Sequence, residues 1–180
     1  MNDVSISKTM SHALRHAPEE YGLTLDAAGW TDLEKVRDAV SKALRAPVTL
    51  DDLERVVAES PKRRFETDGV SIRAVYGHSI EGRIEHPLAS APPDRLFHAT
   101  APSALPAIRA EGLRAMARQY VHLAVEPEVA VRVGRRKDAH PVLLSVDAAR
   151  FRAGGHELFA AGPYIYLADG VPAEYLTVED

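Results

Sequence analysis

Apolar residues recur at the spacing of an α-helix in three segments near the start of the chain. The first helix is expected over residues 7–16 and must stop before Pro18, because proline has no amide hydrogen to continue it. The second follows Thr31-Asp32-Leu33-Glu34, whose spacing is that of a capping box with Thr31 as the N-cap. The third begins at Thr49 and ends at Ser60-Pro61. The apolar stripes of these helices are Met10, Ala13 and Leu14; Leu33, Val36, Val40 and Leu44; and Leu50, Leu53, Val56 and Val57.

Alternating apolar and polar positions replace the helical period after the third helix. Residues 64–67 and 70–74 are both typical of strands, and Asp68-Gly69 between them is a strong β-hairpin signal. Three short helices followed by a hairpin form a winged-helix-like pattern. Such modules often bind nucleic acid, although a fold alone does not establish a function.

A change of composition then indicates two domains. Prolines and small residues between Glu85 and Asp94 predict a linker over residues 87–94. The pattern therefore predicts a lobe at residues 1–86 and a second, α+β lobe at residues 95–180, with helices at 103–110, capped by Ser103, and at 126–133. Five short strands are expected in this lobe, at residues 95–99, 120–124, 141–146, 164–167 and 175–178.

Composition limits the possible partners. The 180 residues carry a formal net charge of −4 and no cysteine, so general polyanion binding, disulfides and thiolate metal sites are not expected. With no signal peptide and no apolar run of membrane-spanning length, the expected location is the cytoplasm, without a membrane partner. Nucleic acid would need a local cationic patch, such as Lys62-Arg63-Arg64 with Arg73, or Arg135-Arg136-Lys137.

Arginine and histidine recur where apolar runs end, and no paired carboxylates accompany them. Glycine-rich nucleotide motifs, a His-Glu-x-x-His metal motif and a serine nucleophile elbow are all absent. This chemistry favours a site that holds phosphate without a metal. Arg15-His16 could be such a clamp or a simple helix cap, and Arg73, on the strand face opposite Ile72, could be a clamp or a surface residue. His98 and His122 could line one cleft or be ordinary core histidines.

Several ordered segments together resemble the NAD-dependent RNA 2′-phosphotransferase family, often called tRNA 2′-phosphotransferases. The similarity extends over nearly the whole chain. It rests on Ser7-Lys8, Leu14-Arg15-His16, Gly22 to Asp26, Gly29-Trp30, Arg64-Phe65-Glu66, Ile72-Arg73-Ala74, Gly77-His78-Ser79, Phe97 to Thr100, Glu111-Gly112-Leu113, Met116 to Leu123 and Val171 to Leu176.

The resemblance implies an N-terminal winged-helix lobe that engages RNA and a C-terminal, ADP-ribosyltransferase-like lobe that binds NAD. It implies removal of an internal 2′-phosphate from RNA, as in tRNA splicing, in two steps with NAD consumed. No obligate protein partner is expected. The residues implied are Arg15, His16, Arg73 and Arg118 for catalysis, His98, Ala99, Thr100 and His122 for NAD, and Arg64, His78 and Ser79 for the RNA substrate.

Two residues depart from the family pattern, and two alternative functions are considered beside this interpretation. Ala99 stands where the family usually has glycine and adds one methyl group where NAD is expected to approach the backbone, and Tyr76 stands where the family usually has glutamine. The alternatives are an ADP-ribosyltransferase that acts on nucleic-acid 5′-phosphate ends or on protein, and a non-catalytic winged-helix protein that senses NAD. An ADP-ribosyltransferase would leave a stable adduct after the first step.

Overall fold

The computed structural model describes residues 2–61 and 63–179, and the chain divides into two compact units, Met1–Glu85 and His86–Asp180. Both helices and antiparallel strands are present, which confirms the α+β class. Residues 87–94, expected to be a linker, belong to the second unit. Within it, Ala89 N donates to Leu158 O and Ala160 N donates to Pro87 O, each at 2.8 Å.

The first unit packs three helices on a small antiparallel sheet of order β1-β3-β2. A 3-10 turn at Pro18–Tyr21 follows the first helix. A hairpin turn at Asp68-Gly69, where Gly69 takes a φ of +90°, joins the last two strands of this unit. The elements are α1 (Asp3–Arg15), β1 (Thr31–Asp32), α2 (Leu33–Leu44), α3 (Leu50–Ala58), β2 (Phe65–Thr67) and β3 (Ser71–Ala74).

Residues 68–70 join β2 directly to β3. In this turn, Asp68 accepts hydrogen bonds from Val70 N and Ser71 N through its carboxylate, at 2.9 and 2.6 Å. The hairpin predicted from Asp68-Gly69 is therefore confirmed.

The helix boundaries correct one predicted cap and confirm another. Asp32, and not Thr31, caps α2: its carboxylate accepts from Lys35 N at 2.8 Å. Thr31 is unavailable because its backbone pairs with Ile72 in the sheet. Thr49 caps α3 as predicted, in a capping box with Asp52. The carboxylate of Asp52 has a pKa well below its ordinary value, because it accepts hydrogen bonds from the Thr49 backbone, from Arg55 and from the Thr49 hydroxyl.

One apolar cluster holds the first unit together. The inward faces of all three helices meet the face of the hairpin that carries Phe65, Ile72 and Ala74. Burying a leucine or isoleucine side chain stabilises a fold by about 1.5–3 kcal/mol, so this cluster is what fixes the helices on the sheet. Its fully buried larger members are Ile6, Met10, Leu14, Leu33, Val36, Leu53 and Ile72.

The second unit is built on a six-stranded antiparallel sheet of order β11-β7-β4-β6-β9-β8. The five predicted strands correspond to β4, β6, β7, β9 and β11, and their existence is confirmed. The elements are β4 (Arg95–Thr100), α4 (Leu105–Glu111), β5 (Leu113–Arg114), β6 (Val121–Ala124), α5 (Pro127–Gly134), β7 (Val142–Asp147), α6 (Ala148–Ala153), β8 (Phe159–Ala160), β9 (Ile165–Ala168), β10 (Gly170–Val171) and β11 (Leu176–Val178).

The prediction that Ser103 caps the first helix of this unit is wrong. Ser103 lies inside a 3-10 turn at Pro102–Ala104, and α4 begins after it, at Leu105, without a side-chain cap. Proline fixes its own φ near the helical value, so Pro102 starts this turn three residues before the α-helix begins. The helix expected at residues 126–133 is confirmed as α5.

The capping box of α3 gives a stability prediction. Replacing Thr49 by Ala removes the hydroxyl that accepts from Asp52 N, and we expect the free energy of unfolding to fall by about 1 kcal/mol. Urea unfolding followed by circular dichroism measures this change. Thr24→Ala, at an exposed threonine without such a bond, is the matched control. Equal stability of the two variants would contradict the capping role.

Candidate functional site

Arg15 and His16 lie at the C-terminal end of α1, where a loop containing Ser79 is attached to them. Arg15 is the last residue of the helix, and the amide of the C-cap, His16, donates to His12 O at 3.0 Å. Ser79 N donates to Arg15 O at 2.9 Å, and Ser79 Oγ lies 2.7 Å from His16 Nδ1. Three of the predicted site residues therefore lie together.

The Arg15 guanidinium is held by a backbone carbonyl and by aromatic rings. Its Nη2 donates to Arg64 O at 3.3 Å, and its Cζ lies 5.5 Å from the centre of the Phe65 ring and 5.2 Å from that of Tyr76. Aromatic faces attract a cation without neutralising it. Tyr76, the departure from the family's glutamine, thus supplies an aromatic face to this arginine.

Arg73 occupies the central strand β3 and projects away from the core, as predicted. Its neighbours Ile72 and Ala74 are buried in the apolar cluster. Its Nε donates to the carboxylate of Glu66, the residue directly opposite on β2, and its Nη1 donates to Ala28 O at 3.0 Å. The face of its guanidinium lies 4.8 Å from the Trp30 ring centre.

Glu66 and Trp30 are functional candidates that the sequence reasoning did not single out. The expectation that no carboxylate accompanies these arginines is wrong for Arg73, because strand register places Glu66 beside it. Only 19% of the Arg73 side chain is exposed, so its charge requires polar partners. A cross-strand pairing of this kind is visible in the sequence only once the hairpin register is known.

Arg64 and His78 complete the predicted residues of the first unit. Arg64 Nη1 lies 3.5 Å from Ser7 Oγ, at the limit for a hydrogen bond. His78 is buried, with 2% of its surface exposed, next to Gly29. A side chain at Gly29 would start 3.5 Å from His78 Nε2. Lys62, from the predicted cationic patch, lies outside the described residues.

In the second unit, the side chain of His98 contacts the backbone of His122. β4 and β6 pair at Phe97 and Ala124, and His98 Nδ1 lies 3.0 Å from His122 O. Strand alternation from this pair places the two side chains on opposite faces of the sheet. The two histidines are therefore neighbours, while their expected contribution to one cleft stays a prediction.

Backbone carbonyls fix the tautomers of both imidazole rings. A carbonyl oxygen can only accept, so His98 Nδ1 must donate to His122 O, and His122 Nδ1, 3.1 Å from Tyr120 O, must donate to it. In each neutral ring, Nε2 then carries the lone pair. Burial lowers the pKa of His98, the bond to the His122 carbonyl opposes this shift, and the charge of Lys137 lowers the pKa further. The neutral form of His98 is thus favoured.

Ala99, Thr100 and Arg118 are the remaining predicted residues. Thr100 ends β4 opposite Val142. The methyl group of Ala99 lies against Gly134, the last residue of α5. Arg118 is exposed in the turn between β5 and β6, where its amide donates to Ala115 O at 3.1 Å.

Two findings concern metals and membranes. Within residues 2–61 and 63–179, no three histidine, aspartate or glutamate side chains gather as they would to hold a metal ion. None of the helices formed by the described residues combines the length and the apolar character needed to cross a bilayer.

Comparison with known proteins establishes the family. A family model described as RNA 2'-phosphotransferase, Tpt1 / KptA family, matches residues 1–170. The chain belongs to this family. Relatives named "Probable RNA 2'-phosphotransferase" are 39% identical in Acetivibrio thermocellus, 44% in Streptomyces coelicolor and 45% in Agrobacterium fabrum. The matches cover 97%, 96% and 96% of this chain and 96%, 93% and 92% of the relatives. The predicted family is confirmed, and with it the assignment as a transferase.

The partly buried position of His98 in this family member gives a prediction of pH dependence. We expect its pKa, measured by NMR titration, to lie below the ordinary histidine value of about 6.5. Because the unfolded chain then takes up this proton at higher pH than the folded one, stability declines as the pH falls through about 6.5.

Comparison with the variant His98→Gln identifies the NMR resonance of His98. This variant should also lack the pH dependence of stability that His98 contributes. His140→Gln, at an exposed position, is the matched control. A His98 pKa at or above the ordinary value would contradict the effect of burial.

Proposed function

We propose that the chain removes an internal 2′-phosphate from RNA and consumes NAD in two steps. Family membership supports the transfer of a 2′-phosphate. The observation that carries the proposal is the anchoring of Arg15 and Arg73, whose guanidinium groups are oriented by aromatic rings and backbone carbonyls. Oriented guanidinium groups can donate paired hydrogen bonds to phosphate oxygens.

The first unit is proposed to be the winged-helix lobe that engages RNA. Its element order, helix–strand–helix–helix–strand–strand, supports this assignment, as does the location of the predicted substrate residues Arg64, His78 and Ser79 within it. The second unit is proposed to be an ADP-ribosyltransferase-like lobe that binds NAD. Its antiparallel sheet carries His98, Thr100 and His122 on the neighbouring strands β4 and β6.

The acceptor character of His98 suits a dinucleotide. A neutral imidazole with a lone pair on Nε2 can accept hydrogen bonds from ribose hydroxyls or from a carboxamide. Neutrality also matters because the nicotinamide ring of NAD carries a positive charge, which a protonated His98 would repel. The pKa of His98, lowered by burial, keeps the ring neutral at pH 7.

In the proposed first step, an oxygen of the RNA 2′-phosphate attacks the anomeric carbon of the nicotinamide ribose, and the bond to nicotinamide breaks. The attacking group is already an anion, and the electron pair of the broken bond goes to the pyridinium nitrogen, so nicotinamide leaves as a neutral molecule. The step therefore requires alignment of its reactants more than a general base.

In the proposed second step, the ribose 2″-hydroxyl attacks the same phosphorus. The bond to the RNA 2′-oxygen breaks, which leaves a 2′-hydroxyl on the RNA and releases ADP-ribose 1″,2″-cyclic phosphate. Negative charge spreads over the phosphoryl oxygens, where Arg15, Arg73 and Arg118 are proposed to stabilise it. His16 is proposed to donate to the phosphate or to contact the attacking hydroxyl.

One assay separates this function from its alternatives. The protein is incubated with NAD and an RNA that carries a single internal 2′-phosphate, and the products are resolved by mass. Complete phosphate removal supports the proposal. A stable ADP-ribosylated product would instead indicate a transferase that stops after the first step, and unchanged RNA would indicate a binding protein. RNAs and DNAs with 5′-phosphate ends test the alternative acceptors.

Arg118→Ala should slow the second step more than the first. Loss of one charge-stabilising donor typically lowers a rate ~10²–10³-fold, so we expect the ADP-ribosylated RNA intermediate to accumulate. Arg114→Ala is the matched control, because this nearby exposed arginine pairs with Glu111. Normal turnover of Arg118→Ala without an intermediate would remove Arg118 from the catalytic set.

Glu66 is expected to act by orienting Arg73. Glu66→Ala should lower the turnover rate by up to ~10²-fold, the cost of misplacing a reacting or binding group by about 1 Å. Glu66→Gln keeps an oxygen that accepts from Arg73 Nε and should retain most of the activity. Glu34→Ala, at an exposed glutamate of α2, is the control. A fully active Glu66→Ala enzyme would show that Trp30 and the Ala28 carbonyl suffice.

A further inference from the structure

Gly134, the last residue of α5, lies directly against Ala99 of β4. A Cβ atom placed on Gly134 would lie 2.8 Å from Ala99 Cβ and 2.9 Å from Pro141 Cβ. Carbon atoms in favourable contact are about 3.5–4.0 Å apart, so position 134 has no room for a methyl group. Glycine is required here by this close approach.

The backbone of Gly134 does not itself call for glycine. Its φ is not among the positive values found in the chain, and it lies in a helix, where glycine is less favourable than alanine by about 1 kcal/mol. The steric contact with Ala99 and Pro141 is therefore the physical reason for the residue. The methyl group of Ala99 points towards α5.

The contact lies between two segments that act on the same histidine. Ala99 is flanked on β4 by His98 and Thr100. On the other side, Gly134 O accepts from Lys137 N at 2.9 Å, and the charge of Lys137 acts on His98. The distance between α5 and β4 thus affects both the position and the electrostatic environment of His98.

We propose that Ala99 and Gly134 form a matched pair that sets the spacing between β4 and α5 and thereby positions His98 and Thr100 for the dinucleotide. Both are positioning residues. This inference rests on the proposed NAD site and extends it to Gly134, which has no assigned role in the reaction, and to the packing of the Ala99 methyl group. Enlarging position 134 should force the two elements apart, while shrinking position 99 should leave a gap between them.

A four-protein cycle tests the pair: wild type, Ala99→Gly, Gly134→Ala and the double variant. Gly134→Ala should raise the KM for NAD about tenfold, a coupling typical of residues in contact, with kcat at saturating NAD little changed. Ala99→Gly alone should also raise KM. Adding Ala99→Gly to Gly134→Ala should lower KM, although not fully, because Pro141 still opposes the new methyl group.

A second readout does not depend on turnover. In Gly134→Ala, the displaced Lys137 turn and the less tightly packed strand should let the NMR-measured pKa of His98 rise towards its ordinary value. A mutation that only destabilises the fold leaves the pKa of the native state unchanged. Ala107→Gly, in the exposed part of α4, provides this comparison. This readout tests the pair even if the wild-type protein proves inactive with NAD, so the two failures are distinguishable.

Three results would overturn the proposal. They are an unchanged KM and His98 pKa in Gly134→Ala, strictly additive effects in the double variant, and a lower KM for Ala99→Gly alone. The last result would show that the methyl group does crowd NAD. If Gly134→Ala does not fold, Ala99→Gly still decides between the two explanations, because it only removes atoms. It raises the KM for NAD if the Ala99 methyl group is a spacer, and it lowers this KM if the methyl group crowds NAD.

Discussion

The proposed phosphate site depends on one interaction, the packing of aromatic rings against the guanidinium groups of two arginines. Arg15 lies against Phe65 and Tyr76, and Arg73 lies against Trp30. A ring orients the cation while leaving its charge available, which a full complement of carboxylates would not do. Backbone carbonyls add directional hydrogen bonds and, like the rings, carry no net charge that would neutralise the arginines. The end of α1 and the hairpin carry the two arginines, and the segment before β1 adds Trp30 and the Ala28 carbonyl.

Glu66 is the exception, and its position limits its effect. It contacts Arg73 at Nε, and 42% of the Glu66 side chain is exposed, so solvent weakens its attraction for the arginine. Glu66 therefore orients Arg73 more than it neutralises its charge.

The second unit favours a neutral side chain instead of a cationic one. There, burial and a carbonyl partner favour a neutral His98, which is compatible with a ligand that already carries a cationic ring.

Local signals in the sequence predicted much of the fold. The Asp68-Gly69 turn and the Thr49 cap are settled by a few neighbouring residues, and the structure confirms both. The caps at Thr31 and Ser103 failed because distant contacts and a preceding proline decided them. Strands of two residues, such as β5 and β10, are too short to produce a periodic pattern, and only their partners across the sheet define them.

The same limit of sequence-based prediction applies to single atoms of the candidate site. Residue types and a family resemblance were enough to select Ala99, and strand alternation restricted its methyl group to two directions. Choosing between them requires knowing which face of β4 packs on α5, a property of the tertiary structure. The same residue is a steric obstacle to a ligand in one direction and a spacer for a helix in the other. A departure from a family pattern can therefore be interpreted only together with its contact, which here is Gly134.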